Sequence, residues 1–222
     1  MKNIVILTGA GISAESGIST FRDSNGLWEN HDIMEVASID GWHRNPQLVL
    51  DFYNIRRAQL QEVVPNSAHF FLSNLQSQHQ VSIITQNVDD LHERAGSKNI
   101  IHLHGQLNKM RSVLNDEVLF DCNFPIHLGD LAPDAGQLRP HIVWFGENVP
   151  MMDYAISITQ KADIFIVIGT SLQVYPAASL LDYTQSNTQI ICIDPNDLPI
   201  NNNVIHIKKS ATEGVLDLNQ YL

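Results

Sequence analysis

The sequence has little cysteine, few basic residues and no apolar run of membrane length. Its 222 residues include two cysteines, Cys122 and Cys192, which are too few for a disulfide framework. Lysine and arginine together number 13, against 24 aspartate and glutamate residues, so the formal net charge is -11. This balance argues against a general affinity for nucleic acids or anionic membranes. An apolar run follows Met1-Lys2-Asn3 directly, so we expect no signal peptide and a cytoplasmic location.

Hydrophobic residues make up 44% of the chain, and many lie in short runs separated by helical stretches. Runs of this kind, rich in valine and isoleucine, are typical of strands buried on both faces of a parallel sheet. We therefore predict an α/β fold with an open, doubly wound, Rossmann-like parallel sheet. The predicted strands are Ile4–Leu7, Val81–Ile84, Ile100–Leu103, Ile142–Phe145, Ile164–Ile168, Ile190–Ile193 and Val204–Ile207.

Two stretches interrupt this alternation. Residues 30–61 have helical but no strand patterning, and residues 109–138 have little periodicity and are rich in Asp, Asn, Gly and Pro. We predict that both form a small module inserted beside a larger domain of residues 1–29, 62–108 and 139–222. Three further helices are predicted in the larger domain. The first begins at Pro65-Asn66-Ser67, and its apolar residues Phe70, Phe71, Leu72 and Leu75 are spaced for burial. The other two are Met151–Lys161 and Pro176–Gln185, the latter with proline in its first turn.

A glycine-rich turn follows the first predicted strand. It has the sequence Gly9-Ala10-Gly11-Ile12-Ser13-Ala14, which fits a loose Gly-x-Gly-x-x-Gly/Ala pattern for a turn that approaches a pyrophosphate at a helix N-terminus. Alone this signal is weak, because glycine turns after strands are common. A dehydrogenase would also carry an acidic ribose ligand after a second strand, whereas Glu29 and Asp32 lie in a predicted loop. We expect a nucleotide site but not hydride transfer.

Polar residues follow two further predicted strands. Gln86-Asn87-Val88-Asp89 comes after Val81–Ile84, at the carboxyl end where such sheets bind ligands. An Asx turn that caps the next helix would explain the same residues. His102 and His104 alternate along one strand face. A histidine there can act as an acid or base near neutrality, although core or metal-binding roles fit the pair as well.

Five blocks in order resemble the sirtuins, the NAD-dependent protein-lysine deacylases. The first is Gly9-Ala10-Gly11-Ile12-Ser13-Ala14-Glu15-Ser16-Gly17-Ile18-Ser19-Thr20-Phe21-Arg22-Asp23; the others are Thr85-Gln86-Asn87-Val88-Asp89-Asp90-Leu91-His92, His104-Gly105, Val143-Trp144-Phe145-Gly146-Glu147 and Gly169-Thr170-Ser171. These blocks span most of the chain. Tyr53-Asn54-Ile55-Arg56-Arg57 is similar to bacterial members that remove acidic acyl groups.

The resemblance implies an NAD site in the larger domain. It places the turn residues Gly9, Ala10, Gly11, Ser13 and Glu15 around the phosphates, Phe21 beside the reacting sugar carbon, and Arg22 in the cofactor loop. It assigns Asn87 and Asp89 to the nicotinamide pocket and Gln86 to a ribose. The adenosine half would meet Gly169, Thr170, Ser171, Ala211 and Asp194, where the family commonly has Asn. A structural glycine turn with Phe21 in the core is the alternative.

The resemblance also implies the catalytic and substrate residues. His104, which precedes glycine as in the family, is the expected general base. The strand end with Val143, Phe145, Gly146 and Glu147 would pair with a peptide backbone, although an ordinary strand end fits it too. Tyr53 and Arg56, three residues apart on a helix, would line the acyl pocket. The alternative is a solvated face on which Arg56 and Arg57 pair with Asp51 or Glu62.

The chain departs from the family at its metal site. Sirtuins usually hold a structural zinc with two pairs of cysteines between the catalytic histidine and the Phe-Gly-Glu block. This interval contains Cys122 alone, and Asp121 and His127 complete no recognisable ligand set. We therefore expect no metal. Apolar contacts are expected to replace it, from Val113, Leu114, Val118, Leu119, Phe120 and Phe124.

The function that the resemblance implies is removal of acyl groups from protein lysines with consumption of NAD. Nicotinamide, O-acyl-ADP-ribose and free lysine would be the products, and acyl-lysine proteins the partners. ADP-ribosyl transfer or NAD hydrolysis is an alternative with the same cofactor. A non-catalytic NAD or ADP-ribose sensor is a second alternative, which the presence of His104, Asn87 and Asp89 disfavours.

Overall fold

The computed structural model describes residues 1–19, 27–28 and 31–222. Its centre is a six-stranded sheet with strand order β11-β10-β9-β1-β4-β5, in which every neighbouring pair is parallel. The strands are β1 (Asn3–Thr8), β4 (Gln80–Thr85), β5 (Ile100–His102), β9 (Ile164–Ile168), β10 (Gln189–Ile193) and β11 (Ile205–Ile207). The predicted Rossmann-like α/β class is confirmed.

The apolar runs form central strands because both faces of the sheet are covered. In β1, Ile4 and Ile6 pack into the core on one face, while Val5 and Leu7 pack into the core on the other. All four are fully buried, and burial of each such side chain contributes about 1.5–3 kcal/mol. A continuous apolar run is therefore the sequence pattern that this position requires.

Helices connect the strands and pack on the sheet. The helix α5 begins after Asn66, whose side chain accepts a hydrogen bond from the backbone N–H of Ala68 at 3.0 Å. The helices of this part of the chain are α1 (Gly11–Ala14), α5 (Ser67–Leu75), α6 (Leu91–Arg94), α7 (Met152–Thr159) and α8 (Ala211–Asp217), with 3₁₀ helices at Ala177–Tyr183 and Leu218–Gln220.

Two helix predictions need correction. Pro176–Gln185 was expected to be an α-helix, but Ala177–Tyr183 forms a 3₁₀ helix. Phe70 was expected in the core, yet 47% of it is exposed. The buried side chains of α5 are Ala68, His69, Leu72 and Leu75, so the spacing of the other apolar residues identified the buried face and Phe70 lies outside it.

The rest of the chain packs around a third core. It contains the helices α2 (Ile33–Val36), α3 (Ile39–Arg44) and α4 (Pro46–Glu62), the hairpin β2 (Leu27–Trp28) and β3 (His31–Asp32), and a three-stranded antiparallel sheet of β6 (Gly105–Ser112), β7 (Leu119–Asp121) and β8 (Leu138–Ile142). Side chains of α4, β6 and β8 meet in this core. The predicted division into two domains, with its boundaries, stays a prediction.

The prediction that Ile142–Phe145 is a strand of the parallel sheet is wrong. Leu138–Ile142 forms β8 instead, and it pairs with β6 in the antiparallel sheet. Phe145 makes an isolated parallel bridge with Ser38. An apolar run predicts burial, but it does not specify which sheet supplies the partner strand.

The expected apolar replacement for zinc is also wrong. Five of its six members are exposed, namely Val113, Leu114, Val118, Leu119 and Phe124. Cys122, Ile126 and Ala132 are the buried hydrophobic residues between residues 113 and 138. Arg57 connects α4 to β6, because its Nε donates to the carbonyl oxygen of Leu107 at 2.9 Å. Its Nη1 donates to Asn54 at 2.8 Å. Asn54 in turn bonds both backbone groups of Ile126.

Within the described ranges, no helix is long and apolar enough to cross a membrane. The cytoplasmic location stays a prediction.

Candidate active site

Glycines let two loops meet at the carboxyl edge of the sheet. The backbone N–H of Gly11 donates to the carbonyl oxygen of Gly169 at 2.8 Å, and that of Gly9 donates to Ile168 at 3.0 Å. A Cβ on Gly11 would lie 2.6 Å from the Cα of Gly169, and one on Gly9 would lie 2.6 Å from the Cβ of Thr170. Gly169 also has a φ of +62°, a conformation that favours glycine. The predicted turn is therefore needed for close contact between the loops that follow β1 and β9.

A buried polar cluster lies beside this turn. The hydroxyl of Ser13 donates to Oδ2 of Asp89 at 2.9 Å, and Nδ2 of Asn87 donates to the carbonyl oxygen of Gly9 at 3.1 Å. Nδ2 of Asn87 also lies 3.2 Å from the hydroxyl oxygen of Ser13. Burial raises the pKa of Asp89 to about 6, although hydrogen bonds from Leu91 and Ser13 oppose the shift. Residues from two separately predicted motifs thus form one cluster.

Two threonines that sequence reasoning missed support this cluster. Thr8 and Thr85 end the paired strands β1 and β4, and the hydroxyl of Thr8 donates to that of Thr85 at 2.9 Å. The hydroxyl oxygen of Thr85 accepts the N–H of Asn87 at 3.0 Å. Thr8 directly precedes the recognised glycine turn and Thr85 opens the recognised block that ends at His92, so their positions were an available signal. Gln86 extends the contact to β9, because its Nε2 donates to the hydroxyl of Thr170 at 3.1 Å.

His104 lies between β5 and β6 and contacts the segment that follows β4. Its Nδ1 is 3.1 Å from the carbonyl oxygen of Gln86. Because a carbonyl can only accept, Nδ1 carries a proton there, and Nε2 of the neutral ring keeps a lone pair. Burial lowers the pKa of His104, and the bond to Gln86 opposes the shift. The side chain is therefore neutral at pH 7 and can accept a proton at Nε2.

His102 differs from His104 because both of its ring nitrogens meet acceptors. Its Nδ1 lies 3.3 Å from the carbonyl oxygen of Asn87, and its Nε2 lies 2.6 Å from the carboxylate of Glu93. Neither nitrogen is oriented to take a proton from a substrate. Of the two histidines, the geometry favours His104 as the base.

The other predicted cofactor residues are distributed around the same edge. Glu15 accepts hydrogen bonds from the N-terminal turn of α8, from the backbone N–H of Thr212 at 3.0 Å and from its hydroxyl at 2.6 Å. Asp194 is buried and accepts from the N–H of Asn196 at 2.9 Å. Ala10 and Ser171 are half-buried, and Ala211 is buried as the first residue of α8. Phe21 and Arg22 lie outside the described residues.

The predicted substrate edge is bound to the small helices by its backbone. The N–H of Phe145 donates to the carbonyl oxygen of Ala37 at 2.9 Å, and the N–H of Ile39 donates to Phe145 at 3.0 Å. The N–H of Val143 donates to the carbonyl oxygen of His104 at 2.9 Å. Gly146 follows with a φ of +91°. These bonds connect the predicted substrate edge directly to the backbone of the predicted base.

Glu147 is directed inward, toward an arginine that sequence reasoning missed. Arg139 donates from Nη1 and Nη2 to its two oxygens at 2.7 and 3.0 Å. The guanidinium also stacks on Trp144, with Cζ 3.4 Å from the ring centroid. Burial raises the pKa of Glu147, but Arg139 and the N–H of Trp144 outweigh it and lower the pKa overall. No sequence signal links Arg139 to this loop.

Tyr53 and Arg56 lie on α4 at different depths. Tyr53 is fully buried, and its hydroxyl oxygen accepts the Nε1–H of Trp144 at 3.0 Å. Arg56 lines a narrow cavity of about 40 Å³ with Asp89, Val88, Leu107 and Trp28 among others. Asp51, the alternative partner of Arg56, accepts a hydrogen bond from Gln47 at 2.8 Å. Arg56 and the predicted nicotinamide residue Asp89 thus share one cavity.

Two buried histidines near the site predict acid sensitivity. Burial lowers the pKa of His69 to about 4 and that of His92, next to His69, to about 3. Both are neutral in the folded protein, whereas the unfolded chain takes up these protons near pH 6.5. Protonation of the unfolded chain therefore costs the fold nothing above pH 6.5, and it lowers the free energy of unfolding as pH falls toward the pKa values of the folded state. At about pH 5.5 the loss is roughly 1 kcal/mol for each histidine.

Asp89 acts in the opposite direction. Its raised pKa destabilises the fold above about pH 6, and this penalty disappears at lower pH. The stability lost through the two histidines is larger than the stability gained through Asp89. The free energy of unfolding in urea should therefore be lower at pH 5.5 than at pH 7.5. His69→Gln should reduce that difference. Equal unfolding free energies at both pH values would contradict the prediction.

A doubly wound parallel sheet with glycine turns and polar side chains at its carboxyl edge defines a Rossmann-like α/β protein. The sequence profile of the Sir2 family matches residues 9–176. An NAD-dependent protein deacylase of Helicobacter pylori is 58% identical over 220 residues, which cover 98% of this chain and 96% of that protein. One of Bacteroides thetaiotaomicron is 50% identical over 230 residues, covering 100% and 98%. The chain belongs to the Sir2 family.

Solved structures agree with this assignment. A Sir2 homolog–NAD complex matches with a TM-score of 0.88 and 38% identity, covering 98% of this chain and 88% of that chain. A complex described as Sir2-p53 peptide-NAD+ matches with a TM-score of 0.81 and 31% identity, covering 98% and 92%.

The absence of zinc stays a prediction. Across residues 1–19, 27–28 and 31–222, no group of three or more His, Cys, Asp and Glu side chains is arranged to hold a metal ion. We expect elemental analysis of the purified protein to find well under one zinc per chain. A strong chelator should leave the melting temperature unchanged, because Arg57, Asn54 and the buried Cys122 and Ile126 hold the module. Stoichiometric zinc would overturn this expectation.

Proposed function

We propose that this protein is an NAD-dependent protein-lysine deacylase that acts on acyl-lysine proteins and yields nicotinamide, O-acyl-ADP-ribose and free lysine. The observation that carries the proposal is the convergence of His104, Asn87 and Asp89 beside the Gly9–Gly11 turn in a member of the Sir2 family. The donor set suits NAD, because an amide and a carboxylate can bind a carboxamide and ribose hydroxyls.

The protein's own contribution to the chemistry follows from these contacts. Asn87 and Asp89, held by Ser13 and Thr85, would orient the nicotinamide end of the cofactor. Bound NAD would supply an electrophilic ribose carbon for the acyl oxygen, with nicotinamide as the leaving group and water as the reactant that releases lysine. His104, with Nδ1 fixed on Gln86, would accept a ribose hydroxyl proton at Nε2. The Val143–Glu147 segment, held by Arg139 and by the backbone of residues 37–39, would position the substrate peptide.

We further propose a preference for acidic acyl groups such as succinyl or malonyl. A guanidinium binds a carboxylate in a bidentate manner and stays charged, and Arg56 lines the cavity that also contains Asp89. Tyr53 accepts from Trp144 and still has its own O–H as a donor. Burial raises the pKa of Tyr53, so the phenol remains protonated at neutral pH.

Mass spectrometry of the products from NAD and an acyl-lysine peptide tests the reaction. O-acyl-ADP-ribose and free lysine peptide in equal amounts support the proposal. ADP-ribosylated protein without deacylation would indicate ADP-ribosyl transfer, and free ADP-ribose without deacylation would indicate NAD hydrolysis. NAD binding without any product would assign a sensor.

A further inference from the structure

The segment of residues 113–131, which lies where sirtuins usually hold zinc, presents an apolar surface to solvent. Between residues 113 and 131, seven large hydrophobic side chains are exposed: Val113, Leu114, Val118, Leu119, Phe124, Leu128 and Leu131. Single exposed apolar residues are normal, but a concentration of them in one segment is characteristic of an interaction site. None of these residues belongs to the candidate active site described above.

Hydrogen bonds to Gln137 bring together the backbone segments that carry four of these side chains. The N–H of Val113 donates to the backbone carbonyl of Gln137 at 3.0 Å, next to Leu114, and Leu131 forms an antiparallel bridge with Gln137. The side chain of Gln137 binds the carbonyl oxygen of His127 and the N–H of Gly129, the two neighbours of Leu128, at 2.9 and 2.7 Å. We call Val113, Leu114, Leu128 and Leu131 the Gln137 face.

The charge around the Gln137 face is of one sign. Residues 112–138 contain no lysine or arginine but five carboxylates: Asp116, Glu117, Asp121, Asp130 and Asp134. Asp116, Glu117 and Asp134 are exposed. Lys109 pairs with Asp121 at 2.5 Å, Asp116 interacts electrostatically with the buried Arg111, and Asp130 lies 3.5 Å from His127. The exposed carboxylates Glu117 and Asp134 therefore carry most of the negative charge that the face presents.

We propose that the Gln137 face binds a basic, apolar segment of a partner protein. Its leucines and valine would accept the apolar side of that segment, and the surrounding carboxylates would attract its lysines and arginines. A second copy of this chain does not fit, because each copy would bring the same carboxylates to the contact and the net charge of each is -11. An anionic membrane is repelled for the same reason.

The face lies one strand length from the chemistry. Gly105, next to His104, and Ser112, next to Val113, pair with the two ends of the five-residue strand β8, at Ile142 and Leu138. Because a strand rises about 3.3 Å per residue, the separation is on the order of 13 Å, which corresponds to about four extended residues of a partner. Binding at the Gln137 face and turnover of a short acyl-lysine peptide should consequently be separable.

A direct binding measurement tests the proposal. The probe is a fluorescently labelled amphipathic helix of leucine and lysine, titrated with the protein at low and high salt. Leu114→Ser combined with Leu131→Ser should weaken binding about tenfold or more. Asp116→Asn combined with Glu117→Gln should weaken it about threefold and reduce its salt dependence. Leu216→Ser and Asp153→Asn, on exposed positions of other helices, are the matched controls and should bind like the unmodified protein.

Each outcome decides the proposal. Salt-dependent binding that both double variants weaken, with unchanged turnover of a short peptide, supports it. Absence of probe binding, or equal binding by all variants, overturns it. A dimer in sedimentation velocity that dissociates in Leu114→Ser would show that the face binds a second copy of the chain. Binding to phosphatidylserine vesicles that depends on the leucines would show that the face binds a membrane. Either result also overturns the proposal.

Discussion

His104→Ala is expected to lower kcat for deacylation by about 10²- to 10⁴-fold, the usual contribution of a general base. The half-buried ring is held beside the backbone of Gln86, and the lone pair at Nε2 would be lost with it. NAD binding should change much less, because Asn87, Asp89 and the glycine turn hold their positions through bonds that do not include the imidazole. Single-turnover kinetics and calorimetric NAD titration measure the two quantities separately.

His127→Ala is the matched control, because this histidine lies on the exposed surface of the small module, with 69% of its side chain accessible. It should leave both the rate and NAD binding unchanged. If His104→Ala keeps most of its deacylation rate, the base is another group. If it loses NAD binding as well, the histidine supports the cofactor site rather than the proton transfer.

Arg56→Met is expected to lower kcat/KM for a succinyl-lysine peptide by roughly ten- to a hundredfold and to leave deacetylation largely intact. A charge-assisted hydrogen bond to a carboxylate contributes about 1.5–3 kcal/mol, and a neutral acetyl group cannot form it. Arg56 shares its cavity with Asp89, so a carboxylate on the acyl chain could reach the guanidinium while the amide lies near the cofactor site. The ratio of the two kcat/KM values is the measurement.

Arg44→Met is the control for the loss of one positive charge, since Arg44 is exposed at the end of α3. It should change neither activity. Arg56→Lys keeps the charge but loses the bidentate geometry, so its selectivity should be intermediate. Equal losses on both peptides in Arg56→Met would mean that the arginine supports the fold or the cofactor, and the acidic-acyl proposal would fail.

Local sequence predicted which residues lie at the candidate site, but not all of the contacts between them. The motif residues at the carboxyl ends of β1, β4 and β9 meet because parallel strands end at the same edge. Asn87, Asp89 and Ser13 were each assigned to the cofactor in advance, but their mutual hydrogen bonds were not. Glu147 was assigned to the substrate edge, whereas its carboxylate binds Arg139. A side chain's direction in a loop depends on tertiary partners that local patterning does not encode.

The sequence by itself determined the parallel sheet and the positions of its motifs. Ile164–Ile168 was predicted with the bounds that β9 has, because a strand buried on both faces must be apolar at every position. The tertiary structure alone decided the sheet to which Ile142 belongs and the outward direction of Val113 and Leu114. Short irregular segments have no periodicity to indicate an inner face, so their burial depends on the helices and strands that pack against them.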